Sequence, residues 1–209
     1  IITSTGKTTV RALAPKNAYY IETDRNVSLE GFPQSFLPAS EKTRADGVVI
    51  VKQNLPPDPD YPGMDVFSVL ETRGNRHAVA IITTRESSDA LADAIKLVKS
   101  VLDQKPQELI QLHEEQWQKF WSRSGVRLGD NDLQTWWYRQ LYYLRCLSRP
   151  GAYAIALQGG YNSKANWHGT WTMNYNAEQT FWTAFSSNHV ELAEPYIDLV
   201  NDFHPRARW

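Results

Sequence analysis

His77–Leu102 reads HAVAIITTRESSDALADAIKLVKSVL, and the apolar period changes inside it. Through Thr84 it is an apolar, β-branched run of the kind that forms a strand buried on both faces. From about Ser87, residues Leu91, Ala94, Ile95, Val98, Val101 and Leu102 recur at intervals of three and four, the stripe of an amphipathic helix. Ser87 or Ser88 can cap its start. A β-region is therefore expected to end near residue 86 and helices to follow.

Upstream, four more short runs carry strand signals: TTVRALA (Thr8–Ala14), NAYYIET (Asn17–Thr23), DGVVIVKQ (Asp46–Gln53) and MDVFSVLET (Met64–Thr72). They are rich in β-branched and aromatic residues, and PKN, QNLPPDPDYPG and RGN separate them as turns. This predicts an antiparallel sheet, read as part of a β-sandwich over residues 1–86. Like VAIIT, the run VVIV looks buried on both faces.

Downstream, Lys105-Pro106 breaks the first helix and Pro106 suits the first turn of a second. Its stripe is Leu109, Ile110, His113, Trp117, Phe120 and Trp121, and the two helices form an expected linker over 87–129. A third helix is expected over Asp132–Ser148, capped by Asp130, Asn131 or Asp132 and ended by Arg149-Pro150-Gly151. Its predicted buried stripe is Leu133, Trp136, Trp137, Leu141, Leu144 and Leu147. A fourth helix should run from near Asn176 to before Asn188. Asn188 and Glu191 stand in capping-box spacing for a fifth, with Leu192, Tyr196, Leu199, Val200 and Phe203 as its stripe. His189 falls in that helix's first turn.

The balance of 22 Lys+Arg against 23 Asp+Glu points to neither nucleic acid nor an anionic membrane as partner. No apolar run approaches the roughly 18–20 residues of a membrane span. The start, IITSTGKTTV, lacks a basic-then-apolar signal segment, and the chain is expected to begin inside a larger protein. With one cysteine, Cys146, there is no internal disulfide and no cysteine-based metal site, and its aromatic neighbours predict a buried, inert thiol. No histidines or carboxylates have metal-ligand spacing, and no organic cofactor is implied. Asn26-Val27-Ser28 is a formal glycosylation sequon and a weak sign of secretion. All eight tryptophans lie at or after Trp117, so the chain divides into two regions with different work to do.

The chemistry concentrates in Trp167–Trp182, WHGTWTMNYNAEQTFW. On extended or turning backbone, residues two apart point the same way, so Asn174 and Asn176 can address one cavity. Their two carbonyls can accept both hydrogens of one water and leave its lone pair aimed outward. The same asparagines can instead cap a helix that begins here. Trp167 and Trp171 offer flat faces with polar edges that suit a sugar, or they belong to the core. The pair Phe181-Trp182 reads as core, and His168 can reach a sugar hydroxyl.

Leu157-Gln158-Gly159, then Trp167, then Asn174-x-Asn176, then Phe181-Trp182 resembles the start of the catalytic domain in glycoside hydrolase family 95. The preceding SRPGAY (Ser148–Tyr153) resembles that family's approach to the segment. The likeness is carried by Leu141–Pro195; upstream it rests on the order of β-domain, linker and helices. It implies an α+β chain: a β-sandwich portion, linker helices, and over 130–209 the first helices of an (α/α)6 toroid, incomplete at Trp209. It further implies inverting hydrolysis of terminal α-L-fucosyl residues on oligosaccharides. An acid protonates the leaving oxygen while water attacks from the opposite face. In the family the paired asparagine carbonyls hold that water, positions matched by Asn174 and Asn176, and an aspartate makes it more basic. Trp167, His168, Trp171 and Thr172 would then shape the sugar pocket.

Two departures bear on the details. Where many of the family's fucosidases place a histidine against the sugar's C5 methyl, this chain has Thr172, which leaves room for a C6 hydroxyl. An α-L-galactosidase is therefore an alternative. Where the family often reads Met-Asn-Tyr-Trp, this chain has Gln179-Thr180-Phe181-Trp182. The family's acid glutamate and activating aspartate lie downstream of the motif and are expected beyond Trp209. Glu178 reads as a first-turn helix carboxylate, Glu191 as a cap, and Glu194 and Asp198 as solvated face. The expected partners are a glycan substrate and further polypeptide, in the same or a second chain, completing the toroid. Secretion or a periplasmic location follows from the resemblance alone. The rival readings are another (α/α)6 hydrolase such as an α-L-rhamnosidase, and a non-catalytic carbohydrate-binding module.

Overall fold

Asp46 and Gly47 both adopt positive φ, 50° and 81°, the conformation of a two-residue type I′ hairpin turn. In the computed structural model they join β5 (Glu41–Ala45) to β6 (Val48–Leu55). Gly74, at φ 63°, opens the tight turn between β7 (Met64–Arg73) and β8 (Arg76–Thr83). The structure describes residues 2–4, 9–12, 18–31, 37–59, 61–157, 170–205 and 207. With β2 (Thr9–Ala12) and β3 (Ala18–Glu22), these strands form one antiparallel sheet in the order β2-β3-β8-β7-β6-β5. Two three-residue strands, β1 (Ile2–Ser4) and β4 (Val27–Leu29), pair separately.

The period of two sorts the sheet's side chains cleanly. Ala18, Tyr20, Val48, Ile50, Val69, Ala78 and Ala80 pack with α1 (Ala90–Asp103), through Ala94, Val98, Val101 and Leu102. Ile21, Val51, Leu70 and Val79 point the other way and pack with Leu29 of β4. The sheet is thus buried on both faces, as the uninterrupted apolar runs of β6 and β8 require. Alanines at 18, 78 and 80 let the helix axis approach the sheet closely. Each fully buried valine or leucine contributes roughly 1.5–3 kcal/mol.

β5 went unread in the sequence because its five residues, EKTRA, are all exposed. A charged edge strand has no apolar face to betray it, and its charges discourage pairing with another chain. At the far end of α1, Arg76 donates through Nη2 to the carbonyls of Leu102 (3.0 Å) and Gln104 (2.8 Å), satisfying groups the helix leaves unpaired. At its start the N-cap residue is Asp89, which makes no side-chain cap bond. Ser87 supports the turn instead, accepting from the Asp89 N–H and donating to Asp93 Oδ2 at 2.6 Å.

The chain divides into two compact units, Ile1–Gln116 and Trp117–Trp209, with the division inside α2 (Pro106–Trp121). Pro106 occupies the first helical position, as its missing N–H allows. In the second unit, α3 spans Asn131–Leu147, and Asp130 Oδ1 accepts from the N–H groups of Asp132 and Leu133. Its C-terminus gives way to a turn with Pro150 followed by Gly151 at φ 75°, the type II arrangement. α4 runs Tyr175–Ser186; a 3-10 turn at Val190–Ala193 leads into α5 (Glu194–Phe203). Phe120, Leu141, Leu144, Ala154, Phe181, Ala184, Leu192 and Ala193 make this unit's core.

Several expectations give way here. Leu133 and Trp136 are 60% and 53% exposed, so the buried side of α3 is narrower than its apolar stripe. Cys146 is exposed, because it lies off the side of the helix that carries Leu141 and Leu144. Asn188 is not an N-cap. At φ 58° it ends α4 in a Schellman motif: the His189 N–H bonds the Ala184 carbonyl at 2.8 Å, and the Asn188 N–H bonds Phe185 at 3.3 Å. Glu191 closes no capping box with Asn188 either, whose N–H is taken by Phe185; its carboxylate pairs with Arg123 at 2.6 Å.

The antiparallel sheet followed by helices makes the chain α+β. No described helix is long and apolar enough to cross a membrane.

Candidate functional site

The approach to the asparagine motif is built from the two segments that flank residues 158–169. The Leu157 N–H donates to the Thr170 carbonyl at 3.0 Å, and the Trp171 indole Nε1–H donates to the Ala154 carbonyl at 3.0 Å. Trp171 packs its ring against the core around Phe181 and Leu192. Here it anchors the chain just before the motif. Trp167 and His168, together with Gln158 and Gly159, lie outside the described residues.

Thr172 then takes φ 32°. Left-handed backbone crowds a branched Cβ against the next carbonyl, and such a residue costs roughly 1–3 kcal/mol unless neighbours enforce it. Three hydrogen bonds do so. Trp171 is fixed on one side, the Thr172 carbonyl accepts from the Ala177 N–H at 3.3 Å, and the Met173 carbonyl accepts from the Tyr196 hydroxyl at 3.3 Å. Tyr196 is itself held by a parallel stack on Phe181, with ring centroids 5.3 Å apart. Burial, and after it the charge of Glu178, raises the Tyr196 phenol above its ordinary value, so the hydroxyl remains a donor.

Asn174 occupies the N-cap position of α4, yet its side chain makes no cap hydrogen bond. Its carbonyl accepts from the N–H groups of Ala177 (3.1 Å) and Glu178 (3.3 Å), so the backbone does the work of starting the helix. Asn176 is one residue inside the helix, and both asparagines are exposed. The helix-capping role open to the pair is therefore not the one the Asn174 side chain performs. Phe181 is core at 1% exposure, but its neighbour Trp182 is not: it is 51% exposed and lies edge-on to Tyr175. Exposed apolar groups continue along α4 and α5 at Tyr175, Phe185, Ile197 and Val200.

Sequence reasoning missed a cluster at the other end of α4. His189 is fully buried and stacked on Phe120 at 3.9 Å, and among the described residues neither ring nitrogen finds a hydrogen-bond partner. Its Nδ1 stands 3.5 Å from Glu191 Oε1, whose carboxylate is held by Arg123. Arg145 lies over the Phe120 ring. Burial pushes the His189 imidazole below its ordinary value of 6.5; Glu191 opposes the shift, and Arg123 and Arg145 add to it. Burial raises Glu191, but the backbone and Arg123 more than offset it, leaving its carboxyl below the usual value and ionised at neutral pH.

The sign follows from which state takes the proton. Above about pH 6.5 His189 is neutral folded or unfolded. As pH falls below that, the unfolded chain binds a proton that folded His189 refuses, so stability declines by up to about 1.4 kcal/mol per pH unit until the folded value is reached. Thermal unfolding between pH 7.5 and 5 should show this fall, and His189→Phe, which keeps the ring stack, should flatten it. An unchanged slope in the variant would remove His189 from the account.

A polar cavity of ≈ 330 Å³ lies in the first unit, lined by Thr23 and Asn26 between β3 and β4, by Asn75 of the β7–β8 turn and by Thr72 and His77 of the strands it joins. His77 there is already engaged by Thr72 Oγ1 at 2.9 Å, and the cavity includes none of the motif's residues. Among the described residues no three His, Cys, Asp or Glu side chains gather as a metal site.

Compared with known families, residues 103–208 match the glycosyl hydrolase family 95 catalytic domain. No curated protein and no solved structure matches the chain.

Proposed function

The chain belongs to glycosyl hydrolase family 95, whose catalytic domain acts on glycans, and from that premise we propose that it hydrolyses terminal α-L-fucosyl residues with inversion. The observation that carries the reading is the family's motif region at the head of α4, where the Asn174 and Asn176 carboxamides are exposed and Asn174 caps nothing. Their carbonyls accept the two hydrogens of one water, whose lone pair then faces the anomeric carbon. An amide is too weak a base to take the water's proton, so a carboxylate receives it as the C–O bond forms. On the opposite face a carboxylic acid protonates the departing oxygen.

Neither carboxyl role goes to the local acids. Glu191 is committed to Arg123. Glu178, in the first turn of α4, and Glu194 and Asp198, on α5, are exposed. The same reading has further helices of an (α/α)6 toroid covering the exposed apolar faces of α3, α4 and α5, and it takes the sheet unit as part of a β-sandwich. Trp167, His168, Trp171 and Thr172 shape the sugar pocket.

Thr172 favours a second substrate. Its short side chain stands where many of the family's fucosidases carry a histidine, and it leaves space for the C6 hydroxyl that distinguishes L-galactose from L-fucose. A pocket that merely admits one more hydroxyl discriminates weakly, by about 10–200-fold. Aryl α-L-fucoside should therefore be hydrolysed, with kcat/KM for aryl α-L-galactoside within about 200-fold of it. Thr172→His should depress the galactoside selectively. Hydrolysis of neither substrate by the natural full-length protein would sink the assignment.

A further inference from the structure

We propose that Tyr196 is a positioning residue for this hydrolysis: its hydroxyl, by holding the Met173 carbonyl, keeps the turn at Thr172 in the conformation that aims the Asn174 carboxamide. The inference rests on the reading of Asn174 as a water-holding group.

Four observations carry it. First, the turn is strained: Thr172, a β-branched residue, sits at φ 32° immediately before Met173 and Asn174. Second, the strain is held from both sides, by the Trp171 indole on the Ala154 carbonyl and by the Tyr196 hydroxyl on the Met173 carbonyl. Third, the Asn174 side chain makes no cap bond of its own, so its direction is inherited from the backbone that Tyr196 holds. Fourth, Tyr196 is rigid, since its ring stacks on Phe181, a residue of the same helix that Asn174 begins. One side chain of α5 therefore ties both the core of α4 and the peptide just ahead of it to a single reference.

A relaxed Thr172 would rotate the Met173–Asn174 peptide and move the carboxamide away from its water. Small misplacements of a positioned group are costly in rate and nearly silent in binding.

The test is Tyr196→Phe in the natural full-length protein, which removes the hydroxyl and keeps the stack. The expected result is a kcat lower by about tenfold with KM within about twofold, because positioning is lost and ground-state binding is not. Tm should fall by no more than about 4 °C, the scale of one lost hydrogen bond. In an Asn174→Ala background the same change should cost nothing further in kcat, since the group being aimed is gone. If Asn174→Ala is impaired but Tyr196→Phe keeps its kcat, the positioning role is overturned alone. An equal loss in both backgrounds overturns it too, because Tyr196 then acts independently of Asn174. If Asn174→Ala itself turns over normally, the water-holding reading beneath the proposal fails.

Discussion

Phe181→Ala should destabilise the second unit by about 3–5 kcal/mol, the range for emptying a buried aromatic site. Phe181 is 1% exposed and packs among Leu141, Leu144, Ala184 and Leu192, and its ring stacks on Tyr196. The cavity cannot close cheaply, because its walls are helices pinned elsewhere: α3 by the Asp130 cap, α4 by its Schellman end, and Leu192 by the Ser148 hydroxyl on its carbonyl at 2.7 Å. The same substitution removes the support of Tyr196, so activity should fall along with stability. Urea unfolding measures the first effect. A loss under about 1 kcal/mol would show that the site collapses freely and that this core does not hold α4 in place.

The contrast with Trp182 explains how far the sequence could be read. Phe181 and Trp182 are adjacent and both apolar, yet one is core and the other exposed. A helical period says which residues share a side; it does not say which sides a neighbouring element covers. Leu133 and Trp136 on α3 were misread for the same reason. Where local chemistry decides, the sequence was legible. Pro106 began a helix, Asp130 capped one, and the doubly apolar runs of β6 and β8 became the middle of a sheet.

Asn188 shows local chemistry with two solutions. Asn-x-x-Glu fits a capping box, but asparagine is also the residue after glycine that best tolerates left-handed backbone, and here it ends a helix. Strain at Thr172 and the Tyr196 hydroxyl bond had no sequence signal at all. Threonine is disfavoured at positive φ, and Tyr196 looked like one more member of an apolar stripe. The asparagine pair was visible as a pattern; the uncapped state of Asn174 needed the fold.

Asn176→Ala carries the largest kinetic expectation. Asn176 is exposed, lies in the first turn of α4, and makes no side-chain hydrogen bond to any described residue. Alanine is a better helix former than asparagine, so folding should be unchanged or slightly improved, by a few tenths of a kcal/mol. A kinetic loss therefore cannot be charged to instability. What the variant lacks is one of two acceptors for the attacking water. Removing one preorganised hydrogen-bonding group at a reacting centre costs about 10²–10³ in kcat. The sugar itself gains little from that group, so its affinity should barely move.

The decisive measurement is kcat of Asn176→Ala on the better of the two aryl glycosides, alongside the dissociation constant of the corresponding free sugar by calorimetry. The account predicts kcat lower by about a hundredfold or more with affinity within about threefold. A kcat that stays at the wild-type level, or one that falls only as far as affinity does, would contradict the assignment of the asparagine pair to the water.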